Sequence, residues 1–543
     1  MLLDPKSNRE DKLAIITGQH DLDIPIPKTY AEAVNDPEYG QQWRDAIQEE
    51  LSSLQINGTW EEQIPPKGAN LVSTKWVFTV KANPDGTLER FKARLVARGF
   101  SQVRGEDYME TFAPTVRMDT LRMFLAIVAA EDLECHHFDI KNAFTESHLR
   151  ERIFLSRPDG VAVRDGYALR VLRSLYGLKQ SARDWNLLCR DYLLQNGFKQ
   201  SLADPCLFTC PDRKLMILVY VDDIIAAAQT KANITWFGSI LSKRFRTKDL
   251  GEIKKVLGIR VTRNRKERTL YIDQEQYLET VLNRFGFPQE KHRAKSVPAT
   301  GYDKLGPALP TDKRIEATPY QQGIGSIMYA MVHTRPDIAF VLGKMAQALS
   351  DPAEHHGQAL KEMSRYLRST ISQKIRYGPG PQRDLAVYSD ADWAGQKSDR
   401  KSTSGGVAML YGGPISWGSK VQRSVATSST ESEYIAMSSI VKQSQWIAQV
   451  LRDMGYSRYI GPNPLTVDIR GDNQGALALV KNPHLHERSK HIDICYHHIR
   501  DLEERKRIAV TYIPTSEMVA DGFTKPLGKT LFERFKSQLG LRK

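Results

Sequence analysis

The chain has little of what would mark a membrane or a secreted protein. No run of about 18 apolar residues occurs, so no membrane span is expected. The start, Met1-Leu-Leu-Asp-Pro-Lys-Ser-Asn8, lacks the order of a signal peptide. Five cysteines, Cys135, Cys189, Cys206, Cys210 and Cys495, are too few to staple 543 residues. A reducing compartment fits that usage. Cys206 and Cys210 have no second pair nearby, so no zinc site is expected. Internal repeats, long low-complexity runs and a helix-turn-helix or zinc-finger signature are also missing. This argues against solenoids and against a sequence-specific DNA-binding regulator.

What is present is the composition of globular protein, 41% hydrophobic and 26% charged. The length suggests three or four domains. A formal charge of +13 suggests a polyanionic partner, and its distribution matters more than its size. In Arg90-Phe-Lys-Ala-Arg-Leu-Val-Ala-Arg98, Arg90, Lys92, Arg94 and Arg98 share one parity. Phe91, Ala93, Leu95 and Ala97 share the other. As a strand this has one cationic and one apolar face. Further basic zones run through Lys243–Lys248, Lys254-Lys255 and Arg263–Arg268. The plainer reading of each zone is a solvated face.

Trp43, Ile47 and Leu51 repeat at helical spacing. Residues 71–100 read as a hairpin turning at Asn83-Pro-Asp-Gly86. Residues 119–131 read as a buried helix. Mixed helices and antiparallel hairpins indicate an α+β fold. Pro/Gly-rich breaks at 293–320 and at Tyr377–Gln382 divide the chain. Between them helical patterns run from Tyr320 to Thr370. Beyond them come strand Leu385–Ser389, a hairpin from Thr403 to Ser419, a long helix from about Ser429 to Met454, and strand Leu465–Arg470.

Two sets of acids stand out. Asp222 and Asp223 interrupt the apolar run Leu215–Ala228, at a tight turn between two short strands. Burying adjacent carboxylates is costly unless a divalent ion or hydrogen bonds offset it. The alternative is a surface turn. Asp139 lies 83 positions earlier in His136-His-Phe-Asp-Ile-Lys-Asn-Ala-Phe144. Two-metal phosphoryl transfer needs carboxylates from separate strands converging in this way. The second set is Asp390, Glu433, Asp472 and Asp521, separated by 43, 39 and 49 positions. Four carboxylates of this kind hold two Mg²⁺ or Mn²⁺ ions around a phosphate.

In this order, several segments resemble the reverse transcriptase and ribonuclease H region of copia-type (Pseudoviridae) LTR retrotransposon polyproteins. They are Lys75-Trp-Val-Phe78, Phe91–Gly99, Thr111-Phe-Ala-Pro-Thr-Val116, Leu175–Trp185, Tyr220-Val-Asp-Asp223 and Ser389-Asp-Ala-Asp-Trp393. The match runs from about Tyr30 onward. No aspartic protease or integrase core is apparent.

The resemblance implies a right-hand polymerase with a ribonuclease H-like domain behind it. Residues 1–69 would be a partly helical extension, 70–235 fingers and palm, 236–297 thumb, 298–380 linker and connection, and 381–543 ribonuclease H. Asp139, Asp222 and Asp223 would be the polymerase carboxylates, and Asp390, Glu433, Asp472 and Asp521 the ribonuclease H set. Each site would take two Mg²⁺ ions, with Mn²⁺ as the other candidate. Asp390 would end the first strand, Glu433 lie in the first helix, Asp472 follow the fourth strand and Asp521 open the last helix.

For dNTP binding, Lys92 and Arg94 would meet the triphosphate, with Lys75 a further candidate. Phe144 would lie under the sugar and exclude a 2′-hydroxyl. Tyr176, Gly177 and Gln180 would lie beside base and sugar, unless Gly177 is a turn glycine. The implied partners are an RNA template, a DNA or tRNA primer, RNA–DNA hybrid and dNTPs. Retroviral relatives dimerise, which makes a homodimer a prior only. The implied location is a cytoplasmic virus-like particle, or the nucleus. The rival reading is a catalytically reduced or domesticated nucleic-acid-binding remnant of such an element.

Some features depart from the family wording or carry a plainer meaning. The residues after Phe144, Thr145-Glu-Ser-His-Leu149, differ from the commoner form, which implies a changed pocket edge. Tyr512–Glu517 lacks the histidine that cellular ribonucleases H usually place before the last acid. Thr430-x-x-Glu433 and Ser428-x-x-Glu431 both read as capping boxes; the resemblance assigns Glu433 to catalysis and Glu431 to the cap. Asp521 reads alternatively as an N-cap. Asp392 and Asp399 read as surface acids, and His136 and His137 as packing or surface residues. In His484–His498, Arg488 and Lys490 oppose metal binding, so hybrid contact or helix packing is preferred to zinc.

Overall fold

The cationic segment is one arm of a long antiparallel hairpin. β1 (Thr74–Ala82) pairs with β2 (Leu88–Ala97), with Lys75 opposite Val96 and Arg94 opposite Val77. Ala93, Leu95 and Ala97 are buried, while Arg90, Lys92 and Arg94 keep access to solvent. The apolar side packs on α1 (Gly40–Ile56). Trp43 of α1 meets Phe78 and Phe91 edge-on, with centroids 5.2 and 4.6 Å apart. Such pairs add about 0.5–1.5 kcal/mol beyond the area they bury. This computed structural model describes residues 24–82, 87–287, 294–396, 399–481 and 493–543. The Asn83–Gly86 turn and residues 484–492 of the histidine-rich segment lie outside them.

The helix expected at 119–131 is α2 (Met118–Ala130), buried from Thr120 onward. A six-stranded sheet follows. Its centre is β3 (Glu134–Ile140), β5 (Asp223–Ala228) and β4 (Leu215–Tyr220), with β6 (Thr247–Glu252) on the far side of β3. The apolar run of β4 and β5 is uninterrupted because both faces are covered, which removes the need for polar alternation. Met216, Leu218, Ile225 and Ala227 join the core with α2. Ile217, Val219, Ile224 and Ala226 join the core with α3 (Ser181–Gln195) and α4 (Lys231–Arg244).

Beyond the palm, one sheet draws on distant segments. β7 (Ile259–Asn264), β8 (Thr269–Asp273), β9 (Lys374–Tyr377) and Leu541–Arg542 are consecutive neighbours in it. It therefore spans the expected divisions near 298 and 381. Helices Ala317–His333, Ala339–Met345 and Glu354–Ser369 complete this region. Its buried Arg335–Asp337 ion pair (2.7 Å) is also hydrogen-bonded to Tyr366 and Thr370. A buried pair needs such partners to offset its desolvation.

The last unit is a sheet in the order β12-β11-β10-β13-β14. Its strands are β10 (Ala386–Asp392), β11 (Thr403–Leu410), β12 (Gly413–Val421), β13 (Val467–Gly471) and β14 (Ile508–Tyr512). β10, β11 and β12 are antiparallel; β13 and β14 run parallel to β10. α5 (Ser429–Asp453) packs against β10 and β11, and α6 (Lys529–Gln538) is the last helix. This unit docks directly on α2 and the segment before it. Arg122 of α2 donates to the carbonyl of Ile415 at 2.8 Å and stacks 3.9 Å over Trp417. Arg117 stacks 3.7 Å over Trp446, whose indole N–H donates to the carbonyl of Ala203. The Pro/Gly-rich breaks are thus bridged by side-chain contacts.

Candidate functional site

Antiparallel pairing puts Asp223 opposite Asp139 across β5 and β3. Tyr220 faces Asp223, so Val221 and Asp222 form a two-residue turn. Val221 has φ +50, an uncommon value for a β-branched residue. The turn is held from outside. The Trp185 indole donates to the Val221 carbonyl at 2.8 Å, and the Ile140 amide donates to the Asp222 carbonyl at 2.9 Å. Trp185 lies inside the Leu175–Trp185 block, and its role here was not read from the sequence.

Burial pushes the Asp222 carboxyl up to about 6; Asp223 and Asp139 push the same way, and Arg94 and a hydrogen bond from Tyr176 pull back. That hydrogen bond, Tyr176 Oη to Asp222 Oδ2, is 3.0 Å long. Asp222 Oδ1 is buried without a hydrogen-bond partner. His137 Nε2 lies 2.7 Å from Asp223 Oδ1, so His137 belongs to the site and is not merely packing. The period-two repeat that puts it on the Asp139 face of β3 was the available signal. His136 contacts Asp249 at 3.1 Å.

The cationic face of the hairpin lies alongside. Arg94 stands 5.2 Å over the Tyr176 ring. Burial, with help from Arg94, Lys81 and Arg90, lowers Lys92 to about 8. Lys75 is half-buried on the partner strand. Phe144 follows β3 in a short turn and packs edge-on against Tyr176, with centroids 4.7 Å apart.

Gly177 has φ +89, and a Cβ there would sit 2.0 Å from the carbonyl oxygen of Ala97. The Ala97 amide donates to the Tyr176 carbonyl at 2.8 Å. Gly177 therefore serves a close backbone approach, the turn-glycine alternative. Gln180 is 1% exposed, and its amide bonds to Gln102, the Asp107 carbonyl and Glu151. In this conformation it supports the wall of the site and offers no face to a nucleotide. Its motif position gave no sign of that burial.

The second site is built on stiffer elements. Asp390 lies in β10, Glu433 in the second turn of α5, and Asp472 just past β13. Ligand oxygens of these three lie within 4.8 Å of one another. Among the described residues no other acidic, histidine or cysteine trio is drawn so close, Asp139, Asp222 and Asp223 included. Burial, then Asp390 and Asp472, push Glu433 up to about 9. Burial, then Asp521 and Asp472, push Asp390 up to about 6 against Lys525 and Thr524. Thr524 Oγ1 donates to Asp390, and Thr515 Oγ1 donates to Asp472 at 2.7 Å.

Asp521 differs from expectation. It lies in a short turn, Val519–Phe523, and the last helix begins only at Lys529. Lys525 Nζ holds its Oδ1 at 2.7 Å. Four residues after Asp521, Lys525 is a site cation that sequence reasoning missed. Glu431 takes the cap, accepting from the Thr427 amide at 2.8 Å, while its own amide donates to Ser428 Oγ. Asp392 is half-buried and not a surface acid, whereas Asp399 is exposed and pairs with Lys401.

Both acid sets offer only carboxylate oxygens, which suits hard divalent cations. The orphaned Asp222 oxygen and the crowded Asp390–Glu433–Asp472 trio fit such ions.

Acids on the central strands of an antiparallel sheet, with a cationic hairpin beside them, belong to an α+β fold of polymerase class. The family described as reverse transcriptase (RNA-dependent DNA polymerase) matches residues 57–299. The chain is 37% identical over 527 residues to the retrovirus-related Pol polyprotein from transposon TNT 1-94 of Nicotiana tabacum. That alignment covers 95% of this chain and 39% of the relative. It is 36% identical to the Pol polyprotein from transposon RE1 of Arabidopsis thaliana, over 95% of this chain and 34% of the relative. The chain carries a copia-type reverse transcriptase region, and spans well under half the length of these relatives. A foamy viral protease-reverse transcriptase structure in complex with double-stranded DNA aligns at TM-score 0.47 and 14% identity, over 87% of this chain and 70% of that one.

Proposed function

We propose that the chain copies RNA and DNA templates into DNA from dNTPs and degrades the RNA strand of RNA–DNA hybrids, serving retrotransposon replication in a cytoplasmic virus-like particle. The observation that carries this reading is the register of Asp139 against Asp223, with Asp222 at the turn and one of its oxygens unpartnered. Asp139, Asp222 and Asp223 would hold one pair of Mg²⁺ ions, and Asp390, Glu433, Asp472 and Asp521 the other. When bound, such ions acidify the attacking hydroxyl or water and neutralise the leaving oxygen.

The chain's own groups supply the rest. Lys92 and Arg94 present positive charge where a triphosphate would approach Asp222. Phe144, braced by Tyr176, narrows the space beside the sugar. In the second site Thr524 and Thr515 orient the carboxylates of Asp390 and Asp472, and Lys525 balances part of their charge. Partners are an RNA or DNA template, a DNA or tRNA primer, and hybrid duplex. Primer extension on an RNA template with Mg²⁺ is the test; no extension would favour the nucleic-acid-binding remnant.

A further inference from the structure

A cavity of about 390 Å³ opens where β9, β10, β13 and α6 approach one another, away from both acid sets. Three guanidinium groups line it, those of Arg376, Arg470 and Arg542. Arg470 is already compensated, by an ion pair to Asp468 at 2.7 Å and a hydrogen bond to Tyr388 Oη at 2.8 Å. Arg376 and Arg542 are not. Arg376 reaches only the Pro379 carbonyl, and Arg542 only those of Ser537 and Leu541. Register adds to the excess charge. Lys374 lies directly opposite Arg542 in the strand pairing, and Lys374 shares a face of β9 with Arg376. Like charges so placed repel. One carboxylate, the exposed Glu517, lines the cavity, while the Tyr388 phenol and Ser537 hydroxyl add neutral donors.

Two uncompensated guanidinium forks over neutral donors match the oxygens of a phosphate, which accept paired N–H groups. The cavity is also in step with the acidic trio. Tyr388 precedes Asp390 by two residues on β10, and Arg470 precedes Asp472 by two. Two residues of strand advance about 6.6 Å.

We propose that this cavity binds a phosphate group, either in the backbone of a nucleic-acid strand held across the trio or on a free nucleotide. The assignment goes beyond the function above and does not depend on RNA cleavage, so it is tested by binding without divalent metal.

The full chain, R376Q/R542Q and R376K/R542K are compared for affinity to an RNA–DNA hybrid across a salt series. Binding of dAMP and of inorganic phosphate is followed by calorimetry. If a strand is the source, the glutamine variant binds hybrid at least tenfold more weakly at low salt. Its log–log salt slope falls by about 0.9, the value for one phosphate contact, and the lysine variant keeps most of the slope. If a free nucleotide is the source, the hybrid curve is unchanged and wild-type binding of dAMP and phosphate is lost in the glutamine variant. Equal behaviour of wild type and glutamine variant in both assays overturns the proposal. Should the double variant not fold by circular dichroism, R542Q alone decides, since Arg542 is exposed. It must lower the salt slope or weaken dAMP binding, and no change in either refutes the site.

Discussion

The two acid sets are built from the same residue types and reach different resting states. Asp390, Glu433 and Asp472 come from a central strand, a helix of 25 residues and a strand end, and already crowd within 4.8 Å. Asp139 and Asp223 come from two paired strands and Asp222 from the two-residue turn, and these three are not drawn within that spacing. In that site the neighbours take the oxygens, Tyr176 from Asp222 and His137 from Asp223. Burial first, then the neighbouring carboxylates, push Glu433 up to about 9, while Asp390 of the same trio rises to about 6, as Asp222 does. A central strand and a long helix hold like charges together; at the hairpin turn Asp222 and Asp223 each have a neighbour of their own, Tyr176 and His137. The second set is therefore already gathered at metal-ligand spacing, and the first is not.

The largest effects should come from removing one charge in each site. Asp222→Asn keeps the size and loses the negative charge facing the orphaned position. Primer extension should fall on the order of a thousandfold with hybrid affinity nearly unchanged. Extension within tenfold of wild type would remove the turn from the chemistry. Asp390→Asn should abolish RNA fragmentation of a labelled hybrid while extension on the same substrate stays within a few-fold. Because α5 and β12 are docked on α2 through Arg117, Arg122, Trp417 and Trp446, this is a strict test of independence. Loss of both activities in a folded protein would show the sites act as one. Surviving cleavage would send attention to Asp392.

How far the sequence foretold this contrast can be traced residue by residue. The parity of Phe91–Ala97 specified a face, and those side chains are the ones that pack on α1. The apolar run around Asp222 and Asp223 revealed two buried strands, because covering both faces leaves no polar positions. What the sequence could not carry were contacts set by tertiary pairing. His137 meets Asp223 only through the register of β3 with β5. Gln180 sits in a motif, yet its amide is used by Gln102, Asp107 and Glu151. Lys525 reaches Asp521 through an irregular turn where a helix start was expected. Nor could local pattern show that Leu541–Arg542 pairs with Lys374–Tyr377, some 165 positions away.

A medium-sized effect sharpens the idea that the first site is shaped by its neighbours. Phe144→Ala removes the ring that meets Tyr176 at 4.7 Å. The ratio of kcat/KM for a deoxynucleotide to that for its ribonucleotide should fall about tenfold to a hundredfold, the usual worth of one steric contact in a pocket. An unchanged ratio would make Phe144 a packing residue and leave the sugar to be read elsewhere.

The smallest effect tests the electrostatic ranking itself. A carboxyl raised in the folded state keeps a proton that the unfolded chain has already released. Its penalty is absent below the unfolded value near 4 and complete above the folded value. For Asp222 and Asp390 the stability is lost between about pH 4 and 6; for Glu433 the loss extends to about 9. Without divalent metal, melting should therefore occur a few degrees lower at pH 8 than at pH 5, given about 2–4 °C per kcal/mol in domains of 150–250 residues. Added Mg²⁺ should recover more of the loss at pH 8, where Asp222 and Asp390 are ionised and free to bind it. Glu433→Gln should flatten the pH dependence more than Asp222→Asn, because its folded value lies further from the unfolded one. If the two variants flatten it equally, crowding does not distinguish the sites, and the difference in their oxygen spacing has no energetic counterpart.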